Sequence, residues 1–109
     1  MKTDFDTAKT ANLAGLIDYS ADAIVSKTLI KKDTGTVTLF AFDKGQGLSE
    51  HTTPFNAMVQ VVDGEAVVII DKERHIVGAG EFIIMPADIP HALDAEERFK
   101  MLLIMIKSK

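Results

Sequence analysis

Two stretches decide the fold of this chain: "GQGLSEHTTPFNAMVQVVDGEA" over Gly45–Ala66 and "GEFIIMPADIPHALDA" over Gly80–Ala95. Each contains turn-forming glycines and runs of β-branched and aliphatic residues, and each carries one histidine, His51 and His91 respectively. Glycine and proline permit or impose the backbone angles of tight turns, and β-branched runs favour strands. The two stretches therefore predict short strands joined by tight turns, with one imidazole on each.

The same alternation of strand and turn covers the chain from residue 24 onward. Short runs rich in β-branched and aromatic residues are separated by segments of Asp, Gly, Pro and Asn. Many short strands with few helical patterns predict an all-β sandwich or barrel. The predicted strands are Ile24–Lys31, Thr36–Phe42, Leu48–Thr53, Ala57–Val62, Ala66–Asp71, His75–Val77, Glu81–Met85, His91–Ala95 and Phe99–Ile106.

Two local signals refine this interpretation. Asp63-Gly64 lies between two apolar runs and predicts a tight hairpin. Residues 1–23 contain "TAKTANLAGLIDY", which predicts a short helix or an extended arm with its leucines and isoleucine on one side.

Composition limits the classes of protein. At 109 residues with 47% hydrophobic residues, the chain fits a single domain, 1–109, made of an arm (1–23) and a barrel (24–109). There is no cysteine, which excludes disulfides and thiolate chemistry. A net charge of −4 without a basic cluster argues against a nucleic-acid partner. The longest apolar run, Met101–Ile106, is too short to span a membrane, and a cytoplasmic location is expected.

The spacing of the turn residues and histidines resembles the two-motif pattern of the cupin superfamily. In the first motif a glycine precedes the histidine by six positions, and in the second a glycine precedes a proline by six positions. The matching positions are Gly45, His51, Gly64, Gly80, Pro86 and His91. The resemblance implies a cupin-type double-stranded jelly-roll β-barrel. In metal-binding members of that family, three histidines and a glutamate hold the ion.

This chain departs from the family pattern at two ligand positions. Thr53 stands where the pattern has its second histidine, and Ala57 stands where it has glutamate. The resemblance therefore carries over only His51 and His91 as metal ligands. Imidazoles suit Fe, Mn, Ni or Zn, but catalytic zinc sites generally supply three protein ligands. Three alternatives stay open: a tightly bound divalent transition metal, weak binding by two histidines, or a pair of polar residues lining a pocket.

A small jelly-roll barrel can hold a small ligand in its interior. The residues predicted to line this pocket, besides the two histidines, are Thr53, Phe55, Ala57, Val59 and Met101. The favoured function is small-molecule binding in the barrel with a reduced two-histidine site. The alternative is a metal-dependent cupin enzyme of dioxygenase or isomerase type that uses His51 and His91. Acid–base chemistry by a histidine without metal ranks third, and the fold names no substrate.

Several strands are apolar on both faces, above all "FKMLLIMI" over Phe99–Ile106. Antiparallel sheets normally expose one face to water and then alternate. The pattern therefore predicts that the outer face is covered. We expect a second subunit in a homodimer to cover it, with packing of the N-terminal segment as the alternative.

Overall fold

The structure is a computed structural model that describes residues 7–107. Within that range it has eight antiparallel β-strands and one 3₁₀ turn, and no helix there is long and apolar enough to cross a bilayer. The elements are the 3₁₀ turn Leu13–Gly15, β1 Ile24–Lys32, β2 Gly35–Phe42, β3 Gly47–His51, β4 Ala57–Ile70, β5 Glu73–Gly78, β6 Phe82–Met85, β7 His91–Asp94 and β8 Phe99–Ile106.

The strands form a curled antiparallel sheet centred on strand β4. Hydrogen-bonded neighbours run in the order β1-β2-β8-β4-β7-β3, and both β5 and β6 also pair with β4. The first half of β4 pairs with β8 and β6, whereas its second half pairs with β5 and β7. One long strand therefore belongs to both sheets of the barrel. The predicted all-β jelly-roll barrel is confirmed.

Strand β4 continues without interruption through Asp63-Gly64, so the hairpin predicted there is wrong. Its pairing with β8 shifts register between Val61 and Asp63, and Gly64 has a φ of +74°. A β-carbon at Gly64 would lie 2.2 Å from the carbonyl oxygen of Arg98 on the neighbouring chain segment. Glycine at this position permits a β-bulge and a close approach of the neighbouring backbone. The bulge bends β4 from one sheet into the other.

The hairpin lies eight residues further on. Asp71 and Lys72 both have positive φ, +51° and +69°, and they join β4 to β5 with Ile70 opposite Glu73. Two consecutive residues with positive φ form the type I′ turn that matches the twist of a two-residue hairpin. The two strands predicted on either side of Gly64 are consequently one strand.

The core fills the space between the two sheets. Phe42 and Phe99 are partners across β2 and β8, and their rings stack with centroids 4.6 Å apart. The buried residues of this cluster are Phe42, Ala57, Val59, Val61, Ala66, Val68, Val77, Met85, Leu93, Ala95, Phe99 and Met101. These side chains come from alternate positions of their strands, which confines the apolar interior to one face of each sheet.

The described part of the N-terminal arm lies on the outer face of β2 and β8. Its only helical element is the 3₁₀ turn, and Ile17 beyond that turn is buried in a second apolar cluster with Leu39 and Leu102. Lys100 of β8 donates a 2.6 Å hydrogen bond to the carbonyl of Ala14. The arm therefore covers part of the outer apolar face, as the alternative interpretation expected.

Candidate functional site

Strands β3 and β7 bring His51 and His91 together. Their Cα atoms are partners in the β3–β7 ladder. The two imidazole rings meet edge to face, with centroids 4.5 Å apart and an angle of 70° between the ring planes. The two histidines of the sequence motifs are thus neighbours at one end of the barrel.

Backbone carbonyls fix the orientation of both rings. Nδ1 of His51 lies 2.7 Å from the carbonyl of Ser49, and Nδ1 of His91 lies 3.1 Å from the carbonyl of Ile89. A carbonyl oxygen only accepts hydrogen bonds, so each Nδ1 must carry the proton. In the neutral ring the lone pair is then on Nε2, and neither Nε2 has a hydrogen-bond partner among residues 7–107. The site offers two free acceptor nitrogens.

The two imidazoles differ in exposure. His91 is 2% exposed, whereas His51 lies on the surface at the edge of the site. Burial lowers the pKa of His91, its hydrogen bond to Ile89 acts in the opposite direction, and the neighbouring His51 lowers the pKa further. His91 is therefore neutral at neutral pH and keeps its acceptor character.

Both rings line a small cavity that is mostly apolar. Its volume is about 40 Å³, whereas a site for one water needs about 10–15 Å³ and drug-sized ligands occupy about 300–1,000 Å³. The cavity has room for a few non-hydrogen atoms. Its lining residues are Leu48, His51, Thr53, Ala57, Met85, His91, Leu93, Leu103 and Met105.

Two loops frame the end of the barrel where the cavity lies. The amide of Asp88 donates to the carbonyl of Thr53 at 2.7 Å, and the amide of Ala87 donates to Oδ1 of Asn56 at 2.9 Å. Asp88 has a φ of +64° at a position where the cupin pattern has glycine. Aspartate is one of the few other residues that tolerate this left-handed conformation. The loop geometry is therefore kept without the glycine.

The predicted pocket residues occupy three different places. Thr53 and Ala57 line the cavity with the histidines. Phe55 instead lines an open surface groove together with Met58 and Ile84 among others. Val59 and Met101 are fully buried in the core and do not line the cavity.

Five lining residues were absent from the predicted pocket: Leu48, Met85, Leu93, Leu103 and Met105. Residues at alternate positions of a strand share a face, so an inward Met101 places Leu103 and Met105 inward as well. By the same rule Leu93 shares the face of His91 on β7. Leu48 carries no such signal, because it lies three positions before His51 and the β3–β7 register shifts between them.

The donors in the cavity do not fit the four-ligand metal centre of the family. The hydroxyl of Thr53 donates to the carbonyl of Phe55 at 3.0 Å, and Ala57 offers no donor. Glu50, next to His51 in sequence, pairs with Lys72 at 3.2 Å instead. Across residues 7–107, no group of three or more His, Cys, Asp or Glu side chains is placed to hold a metal ion. A centre with three histidines and a carboxylate therefore cannot form from these residues.

A family model described as "Cupin domain" matches residues 38–107, which span strands β3 to β8 and most of β2. The chain belongs to the cupin superfamily. A comparison with curated proteins finds no significant match.

Solved structures from several bacteria are similar to this chain. A conserved protein of unknown function from Streptococcus pyogenes is 38% identical with a TM-score of 0.92, and the match covers 98% of this chain and 94% of that one. A cupin 2 conserved barrel domain protein from Leptotrichia buccalis is 45% identical with a TM-score of 0.86, covering 89% of this chain and 47% of that one.

A salicylate 1,2-dioxygenase from Pseudaminobacter salicylatoxidans has the same fold. It is 16% identical, with a TM-score of 0.71, and the match covers 85% of this cupin and 29% of the dioxygenase. At that identity the likeness concerns the fold alone.

Proposed function

We propose that this cupin binds a small molecule that presents hydrogen-bond donors to His51 and His91. The observation that carries the proposal is the pair of imidazoles whose Nδ1 atoms are occupied by backbone carbonyls, which leaves both Nε2 atoms as acceptors. Two rings with centroids 4.5 Å apart, each with one free acceptor nitrogen, line an apolar cavity. This arrangement is complementary to a ligand with one or two O–H or N–H groups.

The cavity limits what enters. Its volume of about 40 Å³ admits a few non-hydrogen atoms. The exposed ring of His51 lies on the side open to solvent, whereas His91 is buried. The ligand is thus a very small molecule, or the polar end of a larger one that enters past His51.

The proposal is tested by nitrogen NMR of the imidazoles during titration with small alcohols, diols and primary amines. We expect one class of compound to shift the Nε2 resonances of both rings, and the response to be lost in His91→Ala. A matched control is His75→Ala, because His75 lies on β5 outside the cavity. No shift at millimolar concentration of any compound would contradict the proposal.

The alternative of a metal-dependent dioxygenase or isomerase stays a prediction. The donor set around His51 and His91 lacks the carboxylate and the third imidazole of the family's metal centre. The cytoplasmic location stays a prediction as well.

We also propose that the chain forms a homodimer through the outer face of the sheet that contains β6, β4, β8, β2 and β1. One row of cross-strand partners on that face is apolar across all five strands, and Ile84 and Ile30 at its two ends are 51% and 44% exposed. The row consists of Ile84, Met58, Ile104, Val37 and Ile30. Val37 and Ile104 in the middle of the row share an apolar cluster with Ile17 of the arm, whereas the two ends of the row stay exposed. An exposed apolar patch is typical of an interface.

A further inference from the structure

Two methionines flank the position where the cupin pattern has a carboxylate ligand. Ala57 on β4 is the Cα partner of Met85 on β6 and of Met105 on β8. Residues directly opposite each other on antiparallel strands point to the same face of the sheet. All three side chains line the cavity that holds His51 and His91. The missing carboxylate is therefore replaced in space by a small methyl group with a thioether on each side.

The chemistry of these donors is soft and uncharged. Thioether sulfur is a ligand that selects Cu(I), and imidazole binds copper as well. A divalent ion is costly to bury in an apolar cavity that has no carboxylate to offset its charge, whereas a monovalent ion carries half that charge and is less costly to bury. The same residues that fail as a site for Fe or Mn thus match the preferences of a soft monovalent ion.

The geometry of the histidines supports the same ligand. Both Nδ1 atoms are held by backbone carbonyls, so both Nε2 atoms carry a lone pair. Hydrogen bonding of the distal nitrogen is the usual way in which a protein fixes the tautomer and orientation of a metal-binding histidine.

We propose that the cavity is a Cu(I) site, in which Nε2 of His51 and His91 bind the ion and the sulfur atoms of Met85 and Met105 complete its shell. A single ion fits a cavity of about 40 Å³. The Cu(I) site would use the same two imidazoles as the proposed small-molecule site. The two thioethers distinguish the two ligands, because they would bind Cu(I) but would not contribute to binding a hydrogen-bonding molecule.

The test is an anaerobic titration of the purified chain with Cu(I) in competition with the coloured chelator bicinchoninate. We expect one Cu(I) per chain, and a loss of affinity of at least about tenfold in Met85→Leu and in Met105→Leu. Leucine is close to methionine in volume, so the core stays filled. The control is Met58→Leu. Met58 follows Ala57 on β4, lies on the outer face of the sheet and does not line the cavity, so this variant should leave Cu(I) affinity unchanged.

A second measurement does not depend on the variants. Ag(I), a redox-inactive ion of the same charge, should shift the methyl carbon resonances of Met85 and Met105 and leave that of Met58 unmoved. Wild-type affinity in both leucine variants, or failure of the chain to bind Cu(I) stoichiometrically, would overturn the inference. The two proposals separate cleanly: His91→Ala should abolish both kinds of binding, whereas the leucine variants should lose Cu(I) affinity and keep the small-molecule response.

Discussion

The phenol of Tyr19 donates a 2.5 Å hydrogen bond to Oδ2 of Asp63, the residue at the bulge of strand β4. The guanidinium of Arg98 lies over the same ring, 4.4 Å from its centroid, and also donates to Asp43 at 3.0 Å. One aromatic side chain therefore joins the N-terminal arm to the point where β4 passes from one sheet to the other.

Tyr19 should ionise at unusually high pH. Burial, the hydrogen bond to Asp63 and the negative charge of that carboxylate all raise the pKa of Tyr19 well above its ordinary value, and Arg98 only partly opposes them. Because the chain has one tyrosine, the ultraviolet absorbance of phenolate reports this residue alone. We expect Asp63→Asn to move the ionisation to lower pH. Ionisation of the folded wild type near pH 10, with circular dichroism unchanged, would contradict this contact.

Replacement of Gly64 should cost more stability than replacement of Gly80. Both glycines have positive φ, +74° and +90°, so alanine strains the backbone at either position by about 1–3 kcal/mol. At Gly80 nothing lies within 4 Å of the added β-carbon, but at Gly64 that carbon would lie 2.2 Å from the carbonyl oxygen of Arg98. The free energy of unfolding, measured by urea denaturation with circular dichroism, should therefore be clearly lower for Gly64→Ala than for Gly80→Ala. Equal losses in the two variants would show that the close approach carries no cost.

The bulge at Gly64 also shows why the sequence predicts the barrel better than its connections. Strands and turns follow from local composition, and those were predicted along most of the chain. An Asp-Gly pair, however, is compatible with both a hairpin turn and a β-bulge. The choice depends on a partner strand more than thirty residues later, where Arg98 approaches the glycine. Local patterns do not contain that register.

The candidate site was also predictable only in part: its two histidines follow from the sequence motifs, but most of its apolar lining does not. The spacing of glycines, proline and histidines placed His51 and His91 in one motif pair, and the structure brings them together. Phe55 was expected in the pocket as a neighbour of Ala57, but it lies in the loop of residues 52–56 and lines a separate surface groove. Met85 and Met105 share the cavity only because both are partners of Ala57, which requires the pairing of three strands.

Acidification should destabilise the fold through His91. Its folded-state pKa is lowered, mainly by burial, whereas the unfolded chain titrates near the ordinary value of about 6.5. The unfolded state therefore binds more protons as the pH falls below that value, and stability decreases. The melting temperature of the wild type should drop between about pH 7 and pH 5, and His91→Gln should flatten that slope. A slope identical in the two proteins would rule out His91 as its source.

Charge on the apolar row should break the proposed dimer. Ile84 is 51% exposed on β6, so a glutamate there is accommodated in a monomer but would be buried without a partner in the interface. Light scattering should give twice the monomer mass for the wild type at micromolar concentration and the monomer mass for Ile84→Glu. The matched control is Ile76→Glu, because Ile76 is 53% exposed and lies on β5, outside the row. A monomeric wild type would refute the dimer, and dissociation of both variants would place the interface elsewhere.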